Sequence, residues 1–413
     1  MSERTATRTG VGYAGWTAAV VVLAAGWAIC AWLLARTSVP ALHLSGLDQR
    51  QLFSAHALAR SRSYGRGADL LWAGGTLAEL VALGVLARLL PSRARAIGLG
   101  RIGSAVIVGM VLLATLWAVA LPFGVADLWW QHHWGLGPFD VVSWLLQQRA
   151  ALGGTAVFGL ATIVLVVGFA GRFGRWWPLA AWPVVVGVVA LFVFVSGYLQ
   201  AAGTDPLPHP WLRADAARLE RVEGVQGTPV RVEDVTSFTN QANAFTVGFG
   251  PSTRVVLWNT LLDGDFSRRQ IDVVVAHELG HVRSRHVLKG IGWSALVVLP
   301  ALALVELVTR RRGGLADPAN LPLALLALTV AALLVAPAEN AVSRRYEAEA
   351  DWRALNATHD PAATERLFAN FQRTSLQQPD PPLLDYLWLE NHPTLMQRIA
   401  MARAWKARSG GGR

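Results

Sequence analysis

Cysteine occurs once in the 413 residues, at Cys30, so an intrachain disulfide is excluded and the redox compartment is not encoded in cysteine usage. Charge is also scarce. Only 15% of the residues are Asp, Glu, Lys or Arg, against about 25% in an ordinary soluble domain. Hydrophobic residues make up 53%, and the mean hydropathy is +0.37. This balance excludes a soluble enzyme and describes a polytopic membrane protein. The net charge of +10 comes mostly from arginines at segment ends. No basic helix or aromatic RNA motif accompanies them, so nucleic acid is excluded as a partner and anionic lipid head groups fit instead.

Apolar runs long enough to cross a bilayer lie at 12–35, 69–90, 104–126, 152–170, 177–199, 291–308 and 321–336. About seven transmembrane helices are therefore expected, in a mainly α fold. Residues 1–200 hold the first five spans, with 36–67 read as an exposed polar connection; 201–290 form a catalytic segment, 291–340 the last two spans, and 341–413 a polar remainder. Between the third and fourth spans, Trp129, Trp130 and Trp134 fit an interfacial aromatic belt. His132 and His133 beside them read as loop residues. Glu306, near Arg310 to Arg312, reads as a helix-end residue reaching for the interface.

The segment 201–290 changes character. TPVRVEDV, NAFTVGFG and STRVVLWN are short β-branched and aromatic runs, the last two separated by a Gly-Pro-Ser turn, which predicts a small antiparallel sheet. Peptides commonly add to the edge of such a sheet as an extra strand. IDVVVAHELGHVRSRHVLK, residues 271–289, follows and reads as one helix. In it His277, Glu278 and His281 form an HExxH pattern. Two His four apart share a helix face and can offer two nitrogens to one Zn²⁺, while Glu278 reaches the water that the metal activates. His286, on an unbroken helix, points away from the pair.

A third ligand must come from elsewhere. In ENAVSRRYEAEAD, residues 339–351, a helix would align Asn340, Arg344, Glu347 and Asp351 as one polar stripe. Glu347 is the expected third ligand, and Asp351 the carboxylate that orients a ligating His. Glu339 and Glu349 are the rival ligands.

ANAFTVGFG, VVAHELGHV, ENAVSRRYEAEAD and NHPTLMQRI, in that order among about seven spans, resemble the integral-membrane zinc metallopeptidases of the type I CAAX prenyl endopeptidase family and their prokaryotic relatives. The resemblance also takes in RSYGRGADLLW and LPFG, and so covers nearly the whole chain. It implies zinc ligands His277, His281 and Glu347, a catalytic Glu278, and substrate or transition-state contacts from Asn243 and His392. It further implies that the seven helices enclose a chamber within the membrane. LQAAGTDPLPHPWL lacks the fuller phenylalanine-containing segment of that family, and the insertions of eukaryotic members are absent between Leu262 and Arg268. These departures bear on CAAX specificity more than on the chemistry.

The expected activity is zinc-dependent hydrolysis of peptide bonds in membrane-associated or lipidated polypeptides, by a monomer in a prokaryotic plasma membrane. The alternative is a zinc-binding membrane protein that clamps partners without cleaving them. Arginines in the short loops after spans two, four and six (Arg93, Arg95, Arg101, Arg172, Arg175, Arg310 to Arg312) share one side. Counting positive charge assigns that side to the cytoplasm and the catalytic segment to the outside, whereas eukaryotic family members have the opposite orientation.

Overall fold

A computed structural model describes residues 13–410. The chain divides into two compact units, Met1–Arg36 and Thr37–Arg413. The first contains α1 (Tyr13–Ala35), whose Val22, Leu23 and Trp32 are all exposed. The membrane-length apolar run at 12–35 corresponds to this helix.

The second unit begins with α2 (Gln49–Leu52), α3 (Ala55–Arg95), α4 (Gly100–His133), α5 (Val141–Phe173) and α6 (Trp177–Ala202). Next come β1 (Asp205–Pro206), α7 (Pro210–Glu223), β2 (Val230–Glu233), β3 (Ala244–Val247), β4 (Arg254–Trp258) and α8 (Arg268–Arg283). It ends with α9 (His286–Thr309), α10 (Leu321–Thr358), α11 (Pro361–Ser375), α12 (Leu383–Trp388) and α13 (Leu395–Gly410).

Five helical stretches among the described residues are long and apolar enough to cross a bilayer: Ala55–Arg95, Gly100–His133, Leu152–Ala202, His286–Arg312 and Pro318–Thr358. Within Leu152–Ala202 the chain reverses at Gly174–Trp176, and Phe158 of α5 meets Phe192 of α6 with ring centroids 4.8 Å apart. That stretch is therefore a hairpin, and the second unit carries six crossing helices. Their arginine-rich ends gather at one end of the bundle, where Arg95 Nε lies 2.8 Å from Asp317 Oδ2. Buried Leu83, Val108, Leu112, Val167, Trp177 and Val305 form the bundle's core.

Several helices outrun the hydropathy signal. Residues 55–67, expected as loop, are the first turns of α3, capped by Ser54 Oγ, which accepts the Ala57 N–H. His132 and His133 likewise end α4 instead of lying in a loop; the His133 ring stacks on Trp129 and Trp130. Glu306 does not reach out to the interface: its Oε2 accepts the indole N–H of Trp177 at 2.8 Å. The last span and the helix 339–351 are one element, α10.

Pro337 sits inside α10 and cannot donate to the carbonyl of Leu333. The indole N–H of Trp388 donates to that carbonyl instead, at 2.9 Å.

The sheet has the order β1-β2-β4-β3. β3 and β4 form the expected antiparallel hairpin, with Phe245 opposite Val256, but β2 and β4 are parallel, with Val232 opposite Leu257. The sheet is thus mixed, because the chain crosses from β2 to the far edge before turning back through β4. Asn259 pins that crossing: its Oδ1 accepts the Val235 N–H at 3.1 Å and its Nδ2 donates to Asp234 at 2.8 Å. β3 is left as an edge strand. Leu212 and Leu219 of α7, Val255 and Leu257 of β4, Val275 and Leu279 of α8, and Leu367, Phe368 and Ile399 beyond them share one buried core.

Candidate metal centre

α8 starts at a polar clasp: Gln270 Oε1 accepts both the N–H (2.8 Å) and the O–H (2.9 Å) of Ser267. Ile271, Val274, Val275 and Leu279 are buried, which fixes the rotation of the helix and turns His277 and His281 toward α10. Gly280 permits the close approach of the two helices. A Cβ there would stand 3.3 Å from the Ala350 Cα and 3.2 Å from the Arg353 Cβ. With α10 this near, Glu347 Oε2 lies 3.2 Å from His277 Nε2, and Glu347 Oε1 lies 3.5 Å from His281 Nε2. One ligand atom from each of His277, His281 and Glu347 falls within 4.8 Å of the others.

The ligand rings are held from behind. Asp351 Oδ1 lies 2.9 Å from His277 Nδ1, which holds a proton on Nδ1 and turns the Nε2 lone pair toward His281 and Glu347. Asp351 is itself gripped by Arg398, through Nε to Oδ2 (2.8 Å) and Nη2 to Oδ1 (2.7 Å), and the guanidinium lies 4.1 Å from the centroid of the Phe368 ring. Burial disfavours the His277 imidazolium, but hydrogen bonds from Asp351 and Glu347 and their charges outweigh burial and raise its pKa to about 10. A proton and a cation therefore compete for this nitrogen. Two imidazole nitrogens and a carboxylate, all partly or wholly buried, suit Zn²⁺.

Glu278 is buried, 6% exposed, and faces a small cleft bordered by Asn243, His277, Phe371 and His392. Its Oε2 accepts the Thr246 hydroxyl at 2.9 Å, so β3 positions the carboxylate. Asn243, exposed at the start of β3, lines the same cleft, and its Oδ1 accepts the Ala244 N–H. His392 lies in the loop between α12 and α13, with Nε2 3.1 Å from Glu347 Oε2. The rest of the polar stripe holds that loop and the end of α12 before it. Asn340 donates to the carbonyl of Leu387, and Arg344 to those of Tyr386 (2.7 Å) and Glu390 (2.6 Å).

Two of the sequence-based placements change. The helix expected over 271–289 breaks at Arg285, whose φ of 55° is left-handed, and α9 begins at His286. The break brings His286 Nδ1 to 2.9 Å from His281 Nδ1, whereas an unbroken helix would aim it elsewhere. Of the rival acids, Glu339 is exposed, and Glu349 bonds His286 Nε2 at 3.0 Å. The motifs of the sequence give Arg398 no role. Its signal was a lone arginine on a helix face whose Leu395, Ile399 and Ala402 are buried, a place where a guanidinium needs an acid partner.

Fold and site define a class: polytopic helical membrane proteins with a His/His/Glu cluster able to hold a divalent cation at one end of the bundle. Residues 206–406 match the sequence model described as Peptidase family M48. A Bacillus subtilis protein called an uncharacterized metalloprotease, YhfN, is 31% identical over 245 residues, 55% of this chain and 56% of its own length. A protease HtpX homolog of Acidiphilium cryptum is 27% identical over 52% of this chain and 82% of its own length. A CAAX prenyl protease 1 homolog of Oryza sativa is 27% identical over 47% of this chain and 48% of its own length. The chain thus spans about half the length of the first and third of these relatives. The crystal structure of S. mikatae Ste24p matches with a TM-score of 0.67 over 92% of this chain and 96% of that chain, at 16% identity, a likeness of fold.

Proposed function

We propose that the chain is a membrane-embedded zinc metalloendopeptidase that hydrolyses peptide bonds of membrane-associated or lipidated polypeptides. The observation that carries the reading is the convergence of His277, His281 and Glu347 within 4.8 Å beside the buried carboxylate of Glu278. The free edge of β3 and a cavity of about 560 Å³ reaching Asn243 and His392 support a peptide substrate laid alongside. A prenylated carboxyl-terminal peptide is the substrate class indicated by the name of the rice relative.

His277, His281 and Glu347 would hold Zn²⁺, which when bound supplies Lewis acidity that polarises a carbonyl and acidifies water. Glu278 takes the proton from the attacking water as the O–C bond forms, and delivers it to the departing amine as the C–N bond breaks. Thr246 fixes the carboxylate for both transfers. His392 faces the place where negative charge develops on the carbonyl oxygen and donates a hydrogen bond to it, and Asn243 contacts the peptide backbone. Asp351 keeps the His277 proton on Nδ1.

Glu278→Gln removes the base and leaves the ligands in place. Zinc content should stay near one per chain while cleavage of a membrane-peptide substrate falls about 10²–10⁴-fold. Cleavage within tenfold of wild type overturns the role of Glu278, and a wild-type protein that retains no zinc overturns the site.

A further inference from the structure

The two ligand histidines are supported differently. His277 meets a carboxylate directly, whereas behind His281 stands another imidazole. His286 Nδ1 lies 2.9 Å from His281 Nδ1 and His286 Nε2 lies 3.0 Å from Glu349 Oε2. Glu349 Oε1 accepts both the N–H (2.8 Å) and the hydroxyl (2.6 Å) of Ser38, and Lys289 Nζ is 3.5 Å from Oε2. Ser38 belongs to the stretch after α1, whose Val39 and Leu42 pack on the buried Leu355, Met401 and Trp405.

The proton order along this chain follows from its two ends. His281 presents Nε2 toward His277 and Glu347, so when it ligates a cation its only proton sits on Nδ1 and is donated to His286 Nδ1. His286 then carries its own proton on Nε2 and donates it to Glu349. Glu349 accepts from Ser38 on its other oxygen and so acts as the terminal acceptor. Every link is within hydrogen-bond distance, and only one arrangement of protons satisfies them all. His286 and Glu349 are buried, 7% and 3% exposed, and Tyr346 stacks on the His286 ring with centroids 4.5 Å apart, so the relay is rigid.

We infer that His286 and Glu349, anchored by Ser38, are positioning residues for the metal ligand His281: they fix its tautomer and ring angle, as Asp351 does for His277. The inference rests on the metal site proposed above. A direct bond to a carboxylate would need Glu349 closer to α8; the break at Arg285 inserts an imidazole as the spacer. Partners of this kind are worth 10–100-fold in metal affinity.

The test uses the full chain purified in detergent, with the release of Zn²⁺ to a chromogenic chelator as the readout and the visible spectrum of the Co²⁺-substituted protein as a second one. His286→Ala should release zinc about 10–100-fold faster than wild type, with altered Co²⁺ bands. Glu349→Gln should act in the same direction, and Ser38→Ala more weakly. The melting temperature of each chelator-stripped variant is compared with that of stripped wild type. Where His286→Ala fails to fold, Glu349→Gln and Ser38→Ala carry the decision. Release within twofold of wild type and unchanged Co²⁺ bands in His286→Ala and Glu349→Gln overturn the inference while leaving the metal site standing. If His281→Ala also retains zinc like wild type, the metal site itself is wrong. A melting temperature of stripped His286→Ala and stripped Glu349→Gln well below that of stripped wild type assigns the pair a purely structural role and likewise overturns the inference.

Discussion

Arg398 is largely buried, 9% exposed, and makes two hydrogen bonds to one carboxylate, and its value lies in what its loss exposes. Removing one partner of a buried pair leaves the other charge unsatisfied, at a cost of about 3–5 kcal/mol. Arg398→Leu is therefore expected to lower the melting temperature strongly and to weaken zinc retention, because the freed Asp351 no longer holds His277 in place; calorimetry and metal analysis on one sample check both. Asp272 is the contrasting case. Burial, followed by the neighbouring Asp215, raises its pKa to about 6, and its Oδ1 finds no hydrogen-bond partner among the described residues. The folded chain thus holds this proton more tightly than the unfolded chain does. Its contribution to stability is full below about pH 4 and is lost as pH rises through 6. Asp272→Asn should flatten that slope, as measured by melting temperature between pH 4 and 7, and a slope unchanged from wild type would contradict the assignment. Of these residues, His277, Glu278 and His281 were legible because helix periodicity places them on one face with no help from the rest of the fold. His286 was not, because its position depends on a single left-handed residue, Arg285, that no propensity marks.

At the scale of elements, hydropathy located the membrane-crossing helices but not their ends. It reports only the lipid-facing part, so the polar first turns of α3 and the polar second half of α10 escaped it. The β runs were visible as runs. Their pairing was not, since alternation fixes which face is buried and says nothing of strand direction. α10 also contains a joint that the sequence shows only as Pro337. The Trp388 indole fills the hydrogen bond that the proline removes. Trp388→Phe keeps the ring and strands the Leu333 carbonyl, so a loss of about 1–3 kcal/mol is expected, checked by denaturant titration in detergent. A loss below about 0.5 kcal/mol would mean that water satisfies the carbonyl instead.

For the whole molecule, α10 separates its two ends. At 1.5 Å per residue, Glu347 lies about 39 Å along the helix from Leu321, farther than the roughly 30 Å thickness of a hydrocarbon core. The arginine-rich turns and the His/His/Glu cluster are therefore expected on opposite sides of the membrane. With Cys30→Ser as background, single cysteines placed at Arg311, exposed after α9, and at Asp380, exposed between α11 and α12, should react with an impermeant maleimide from opposite faces of sealed vesicles; labelling of both from one face would refute this arrangement.

The same helix that meets lipid along its first half presents Glu347 in its second, and through Trp388 and Arg344 it also grips the loop bearing His392. Ligand and loop are thus carried by one helix while the two imidazoles stand on α8, so the convergence of all three groups rests on the close approach of α8 and α10 at Gly280.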